Sequence, residues 1–468
     1  MKERLRHLFR HPDDRSLPMT GVELTGGMLG GVLTNLLPVV VITFMQYFYT
    51  DVVGIDAGLA GTVVLAARLI NALTDLISGV IISRTRSRFG QARPWLLRLV
   101  LPMALITMIS FSVPPFLGVQ GKNVYIIVTY TLMNAVLFSL VSMATAVIPP
   151  SQSSHARSRQ MVGILASLCG VIFNGAVIAG VQWYTTTQGD TPEAWRLIGI
   201  LLGSVVLLGM GVMFITSHER TETSAVPGTT RPPVPFIEGV KALRYNKYWI
   251  IMALVAFLGA VEGGLGSGNI FYFRTVLGDP NIMAANALIT LFPNAGCLIL
   301  IAIFRKRLNQ QALLMGGLAL KAVTYLVNAV FYTSPTAFLL CSVVRSVAST
   351  PFWAFNGVFL VNTIEYGEWK TGLRTDSLNI TMSSFGSRLG SGLGGAMVGW
   401  LLSAAGYVKN AAVQPEAVAG TTVWISLILP AGLVGIMAIL LGFYDLDKHY
   451  EGITAALKQR HQPVENAE

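Results

Sequence analysis

The chain has 468 residues, of which 53% are hydrophobic and only 12% charged, where a soluble protein carries roughly 25% charge. With a mean hydropathy of +0.60, this composition excludes a soluble globular protein, and the net charge of +10 reads as charge placed at a membrane surface and not as a nucleic-acid interface. Three cysteines (Cys169, Cys297, Cys341) lie in apolar blocks and all six histidines in termini or polar loops, which excludes a disulfide framework, a metal knuckle and a histidine proton relay.

Along the chain, the opening segment MKERLRHLFRHPDDR is basic, and the apolar block behind it is too long for the core of a signal peptide. It reads as an uncleaved first helix with its N-terminus in the cytoplasm. Lipid offers the backbone no hydrogen-bond partners, so apolar blocks of about 20 residues must be helices. The alternating pattern of transmembrane strands is absent. Helices are predicted near 20–49, 56–83, 94–116, 123–148, 158–184 and 194–217, then near 247–274, 281–304, 310–332, 337–364, 376–405 and 420–444. The chain is therefore an all-α integral membrane protein with about twelve spans.

The loops carry the expected charge asymmetry. Arg84, Arg86, Arg88 and Arg93 follow the second span, and Arg305, Lys306 and Arg307 follow the eighth; both loops fall on the cytoplasmic side. The opposite loops hold scattered charges such as Lys122 and Lys409. The stretch HERTETSAVPGTTRPPVPFIEGVKALRYN (218–246) reads as a cytoplasmic linker between one six-helix half, 1–217, and another, 247–444. Residues 445–468 form a cytoplasmic tail. Two such bundles with a site between them are the plan of a secondary transporter.

A charge at mid-bilayer depth costs about 2.5–3.5 kcal/mol even on the lenient insertion scale, so each one needs a reason. In chain order, Asn35, Thr43 and Gln46 mark the first span. Arg68, Asn71 and Asp75 share one face of the second, spaced i, i+3 and i+7. Glu262 opens the run VEGGLGSGN in the seventh span, with Asn269 on the same face. The eighth has Asn286, Thr290 and Asn294, and the ninth has Lys321, which lines a cavity, snorkels or pairs with a neighbour. Arg345, Ser349, Trp353 and Asn356 form a stripe in the tenth. The eleventh contains NITMSSFGSRLGSGLGG, with Arg388 on the face of Ser384; its guanidinium needs an anionic partner, for which Asp75 is the candidate. Each feature also has a structural reading: an internal ion pair, polar bonding between helices, a packed tryptophan, or small residues that let helices approach closely.

Four blocks together resemble the glycoside–pentoside–hexuronide:cation symporters. They are QYFYTDVVGIDAGLAGTVVLAARLINALTDLISG, SRTRSRFGQARPWLL, IEYGEWKTGLRTDS and SSFGSRLGSGLGGAMVGWLLSAAGYV, and they follow in order through both halves. The resemblance implies the major facilitator fold, with alternating access between two six-helix bundles, and cation-coupled movement of a sugar or glycoside. In that family the second helix carries two aspartates that bind the coupling cation; here the second is Asp75 and the first is Asn71. The family's lysine beside that cation is Arg388 here. A single carboxylate with an amide neighbour is a poorer site for sodium, which prefers several hard oxygen ligands, yet it still takes up and releases a proton. A proton is thus favoured over sodium, with Ser139 or Ser384 as a further oxygen. The sugar-binding aspartates of the best-known member fall at Asn35 and at Val141 or Ser142, whereas Trp353 matches a family tryptophan.

Arg68, Arg345, Arg388 and Lys321 face only Asp75 and Glu262 within the apolar blocks. This excess of basic groups favours an anionic ligand, such as a hexuronide or sulfonated sugar. The sequence thus predicts cation-coupled symport of a sugar, glycoside or sugar acid, with Asn35, Arg68, Ser142, Glu262, Asn269, Arg345 and Trp353 at the substrate. The expected partners are that small molecule and the lipid bilayer, with no nucleic acid, no metal and no cofactor beyond the coupling ion, for a monomer in the bacterial inner membrane. Alternatives on the same fold are a proton-coupled exporter of a metabolite or drug and a transporter-like ligand sensor. An enzyme is excluded by the lack of a nucleophile–base pair, metal cluster or phosphate loop.

Overall fold

The computed structural model describes all residues except 1–18, 88, 154–155, 220–235, 305–308, 374, 410, 412–413, 447–448 and 462–468. The basic N-terminal segment, most of the 218–246 linker, Arg88 and the cluster Arg305, Lys306 and Arg307 therefore lie outside the described residues. Among the described residues every regular element is helical, and eleven helices are long and apolar enough to cross a membrane. The other expected span is the 29-residue helix Asp376–Ala404, whose first half holds four serines, two glycines, Asp376 and Arg388.

The membrane helices are α1 (Gly21–Tyr47), α2 (Ala57–Arg84), α3 (Arg93–Ser110), α4 (Val119–Tyr130 and Phe138–Gln152), α5 (Ala156–Thr187) and α6 (Pro192–Thr216), followed by α7 (Lys247–Leu265 and Asn269–Thr275), α8 (Ile282–Ile289 and Leu291–Phe304), α9 (Gln310–Val330), α10 (Pro335–Thr371), α11 (Asp376–Ala404) and α12 (Glu416–Val423 and Leu429–Gly442). Their starts are written in the sequence. Glu23 N donates to Thr20 Oγ1 at 3.3 Å and Thr20 N donates to Glu23 Oε2 at 2.8 Å, a closed capping box. Asp56 caps α2, and the pairs Thr191–Pro192 and Ser334–Pro335 open α6 and α10. α10 has 37 residues, roughly 55 Å at 1.5 Å per residue, so it overruns the hydrocarbon core.

Several spans that hydropathy reads as continuous are interrupted. Wide π turns occupy Phe48–Val53, Thr131–Leu137 and Trp424–Ile428. A tight 3-10 turn, Gly266–Gly268, splits α7 at the point where glycine removes helix propensity.

By internal packing the chain forms two compact units. One comprises Met1–Pro227, Ser267–Leu291 and Gly395–Thr422; the other comprises Gly228–Gly266, Phe292–Gly394 and Val423–Glu468. In the first unit α1 packs on α5 and α6, α3 on α6, and α2 on α4. An aromatic core of Phe44, Phe48, Phe111 and Trp195 closes one end, with Trp195 fully buried. The second half of α11 lies against α2, where a Cβ on Gly399 would stand 2.3 Å from the Ala57 carbonyl. Only glycine permits that approach. Nearby, Arg274 pairs with Asp190 and lies 4.4 Å from the Tyr47 ring centre, and Tyr407 donates to Asp51 at 2.9 Å. Burial raises the pKa of the Tyr407 phenol well above its ordinary value, and the charge of Asp51 pushes it the same way.

The second unit is built on Met252, Val255, Leu314, Leu318, Phe352, Phe359, Met437 and Leu441, contributed by α7, α9, α10 and α12. Just after α12, Tyr248 donates to Asp445 at 2.6 Å and Lys247 lies 3.4 Å from the same oxygen. The Tyr248 hydrogen bond, followed by the Lys247 charge, holds the Asp445 carboxyl below its usual range.

Candidate functional site

In the first unit, the face of α2 that carries Asn71 and Asp75 meets α4 just beyond its π turn. Ser139 donates its hydroxyl to Asp75 Oδ1, and its Oγ lies 3.3 Å from Ser78 Oγ. Asn71 is fully buried, and its Nδ2 donates to the backbone carbonyl of Asn134 at 3.0 Å. Asn134 belongs to the π turn Thr131–Leu137, the kind of register slip that recurs at functional sites. A half-buried carboxylate thus sits beside two fully buried hydroxyls, Ser78 and Ser139, and one buried carboxamide.

The sequence brought Asp75, Asn71 and Ser139 together but missed Ser78 and Asn134. Ser78 was legible, being three residues after Asp75 and seven after Asn71 on the same stripe. The Asn134 carbonyl was not, because nothing in the apolar run TLMNAVL announces a π turn.

The remaining candidates of this unit are placed differently. Arg68 lies on the same helix, and its buried Nε has no hydrogen-bond partner. Asn35 is exposed and donates to the Gly31 carbonyl at 2.8 Å. Ser142 donates to the Ser139 carbonyl at 3.2 Å. Asn269 opens the short second piece of α7. Next to it, Ser267 Oγ lies 3.0 Å from the buried Gln46 carboxamide, so the polar mark of Gln46 on α1 is a bond between helices.

In the second unit Glu262 holds a buried ion pair. Lys321 Nζ lies 2.9 Å from its Oε2, and the Tyr325 hydroxyl donates to its Oε1 at 2.7 Å. Of the readings open for Lys321, pairing with a neighbour is the one found. Arg345 is only 8% exposed and its guanidinium lies 4.7 Å from the Tyr325 ring centre and 5.0 Å from that of Phe338, within cation–π range. Asn294 accepts from Thr350 at 3.3 Å. Trp353 is 74% exposed, with its ring edge-on to Phe352.

Arg388 and Ser384 instead line a cavity of about 350 Å³ within this unit. Three helices build it with stripes spaced one turn apart: Met252 and Ala256 on α7, Asn356 and Leu360 on α10, and Ser383, Ser384, Ser387 and Arg388 on α11. α7 can approach α11 this closely because a Cβ on Gly394 would stand 2.2 Å from the Val261 carbonyl. The cavity is apolar on the α7 side and polar on the α11 side, as in sites that bind small molecules. Among the described residues no group of His, Cys, Asp and Glu could hold a metal ion.

These elements have counterparts in known proteins. The chain is 28% identical over 434 residues to the isoprimeverose transporter of Lactiplantibacillus pentosus, covering 90% of this chain and 87% of that one. It is 25% identical over 451 residues to a candidate 2,3-dihydroxypropane-1-sulfonate exporter of Escherichia coli, covering 92% and 94%. Its fold is similar to that of a bacterial homologue of the human peptide transporters PepT1 and PepT2, with a TM-score of 0.63 at 11% identity over 92% of this chain and 99% of that one. The profile of the MFS/sugar transport proteins matches residues 26–448. The chain belongs to that family, as a multi-pass membrane transporter of the major facilitator fold and not an enzyme.

Proposed function

We propose that this protein moves a sugar, glycoside or sugar acid across the bacterial inner membrane by alternating access, coupled to protons through Asp75. The carrying observation is the hydroxyl of Ser139 donating to the Asp75 carboxylate on the face of α2 that also holds Asn71 and Ser78. The group is a carboxylate that accepts from the Ser139 hydroxyl, on a helix face whose other family aspartate is replaced by Asn71. Its charge is stabilised by a hydroxyl donor that can turn away when the carboxyl is protonated. A sodium ion would gain more from a second carboxylate, which Asn71 does not supply, and the Asn71 amide is already engaged with the Asn134 carbonyl. Arg388, which the resemblance adds to the coupling set, and Ser384 line the cavity of the second unit.

Uptake into proteoliposomes under separate pH and sodium gradients tests this reading. Wild type accumulates sugar under a pH gradient, Asp75→Asn loses accumulation while retaining sugar exchange, and Asn71→Asp gains sensitivity to sodium. Accumulation that follows the sodium gradient and ignores pH would sink the proton assignment. A relative named as a candidate exporter favours a second reading, proton-coupled export on the same fold. Oriented vesicles with the pH gradient applied in either direction separate the two.

A further inference from the structure

We propose that the cavity at the end of the first unit where α1 and its π turn finish and α4 and α6 begin is a headgroup site for an aminophospholipid. Lys122 and Arg196 hold the phosphate, and Glu193 holds the primary ammonium. The site does not depend on which solute the chain carries.

The cavity has a volume of about 330 Å³, and all its walls belong to the first unit. Its floor is aromatic and rigid. Phe48 and Phe111 are buried with ring centres 5.5 Å apart, and Phe111 stacks on Trp195. A Cβ on Gly199 would stand 2.5 Å from that of Phe111, so α6 packs directly under this floor. Pro114, Pro115 and Pro192 stiffen the walls. Walls of this kind hold their shape before a ligand arrives, which lowers the cost of binding one.

The charges at its rim need a reason. On the orientation expected from the loop charges this end faces outward, where lysine and arginine are scarce. Lys122 is in the first turn of α4 and Arg196 just past the first turn of α6, positions where the helix dipole disfavours a cation. Lys122 donates to the Val53 carbonyl at 3.2 Å, and an ammonium has further N–H groups to offer. Glu193 and Arg196 stand one turn apart on α6 and are exposed. Among the described residues neither makes a hydrogen bond or an ion pair.

Two cations and one carboxylate around one cavity match a zwitterion. A phosphate diester takes the cations, and a primary ammonium gives its N–H groups to the carboxylate. A quaternary ammonium has no N–H to give, and a glycerol headgroup has no positive charge. Next to the cavity Phe116 and Val119 are 84% and 73% exposed, and Val124 and Leu197 also face outward. Apolar surface therefore runs on from the charged rim along the helices, where the acyl chains of a lipid lie. A soluble phosphoester would meet the charges and leave that surface unused.

Binding of phosphatidylethanolamine, phosphatidylcholine and phosphatidylglycerol with the same acyl chains to the full chain in detergent is measured by native mass spectrometry. Wild type is expected to bind the ethanolamine lipid about fivefold more tightly than the choline lipid, the upper end for an ion pair at an exposed site. Glu193→Gln should remove that preference without weakening phosphatidylglycerol. Arg196→Gln should weaken all three lipids by a similar factor, because all three carry the phosphate. Both side chains are exposed, so neither change threatens the fold. Glu416→Gln, which removes a carboxylate at the start of α12 that does not line the cavity, should leave the preference intact. Glycerophosphoethanolamine, the same headgroup without chains, should fail to compete at the concentration of the lipid. Competition as strong as the lipid's would show a site for soluble phosphoesters and overturn the lipid assignment. Equal binding of the three lipids by wild type, or a preference that survives Glu193→Gln, overturns the proposal as well.

Discussion

At the scale of single residues, Glu262 shows how a charge is kept inside the spans: both carboxylate oxygens are taken, one by Lys321 at 2.9 Å and one by Tyr325 at 2.7 Å. The side chains of the pair are 16% and 13% exposed, so removing one charge strands the other in a poor solvent. Glu262→Gln is expected to cost roughly 3–5 kcal/mol, seen as a marked fall in the melting temperature of purified protein. Glu262→Gln combined with Lys321→Met should recover most of that loss, because no buried charge is then left uncompensated. A single variant as stable as wild type would show that the pair contributes nothing to the fold. The i, i+7 spacing of Glu262 and Asn269 looked like one polar face in the sequence. The 3-10 turn at Gly266–Gly268 interrupts the helix between them, and no pattern of residue types signals how such a turn resets the phase.

At the scale of elements, the glycine run of α11 does what small residues do in lipid: it lets backbones touch. A Cβ on Gly394 would meet the Val261 carbonyl at 2.2 Å and the Gly264 Cα at 3.0 Å, all of it backbone that cannot rotate away. Gly394→Ala should therefore destabilise by roughly 1–3 kcal/mol, although alanine is the better helix former. Gly432→Ala on α12 has open space around its Cβ and should be neutral or gain up to about 1 kcal/mol. Thermal melting of the two variants in one detergent checks the pair, and equal effects would count against the close contact. The small-residue reading of SGLGGAMVG was available from the sequence. The partners of each glycine were not, since contact depends on which helix stands opposite.

At the scale of the whole molecule, the compact units do not coincide with the halves of the sequence. Residues 267–291 and 395–422 pack with the first six helices, and both α7 and α11 change units next to a glycine, at Gly266 and between Gly394 and Gly395. Within the first unit, Arg274 on the second piece of α7 reaches Asp190 in the turn between α5 and α6 and lies over Tyr47 of α1. Asp190 holds a positive φ of 55° to stand there, a conformation that disfavours most side chains. With side chains 27% and 18% exposed, this pair is largely out of water. Asp190→Asn should cost about 3 kcal/mol and loosen the joint between these segments, read as faster hydrogen exchange at 267–275 relative to α3. The exchanged pair, Asp190→Arg with Arg274→Asp, should restore part of the protection. Unchanged exchange in the single variant would show that packing alone holds the segments together.

Class, spans and the unusual carboxylate are all legible in the amino-acid order. Lipid cannot satisfy a backbone, so length and apolarity suffice to locate helices, and the cost of a charge in lipid makes Asp75 visible without any coordinates. The caps at Thr20, Asp56, Thr191 and Ser334 were equally local, each being a side chain bonding a few residues ahead. Which helices oppose one another is set by packing between distant segments. That fixed Ser139 against Asp75, Lys321 against Glu262, Arg345 against two aromatic rings, and Arg388 into a cavity beside Asn356. The π turn that carries Asn134 and the break in α7 also belong to that level. A few carbonyls change partners there because of neighbouring helices, a choice made by contact between segments far apart in the chain.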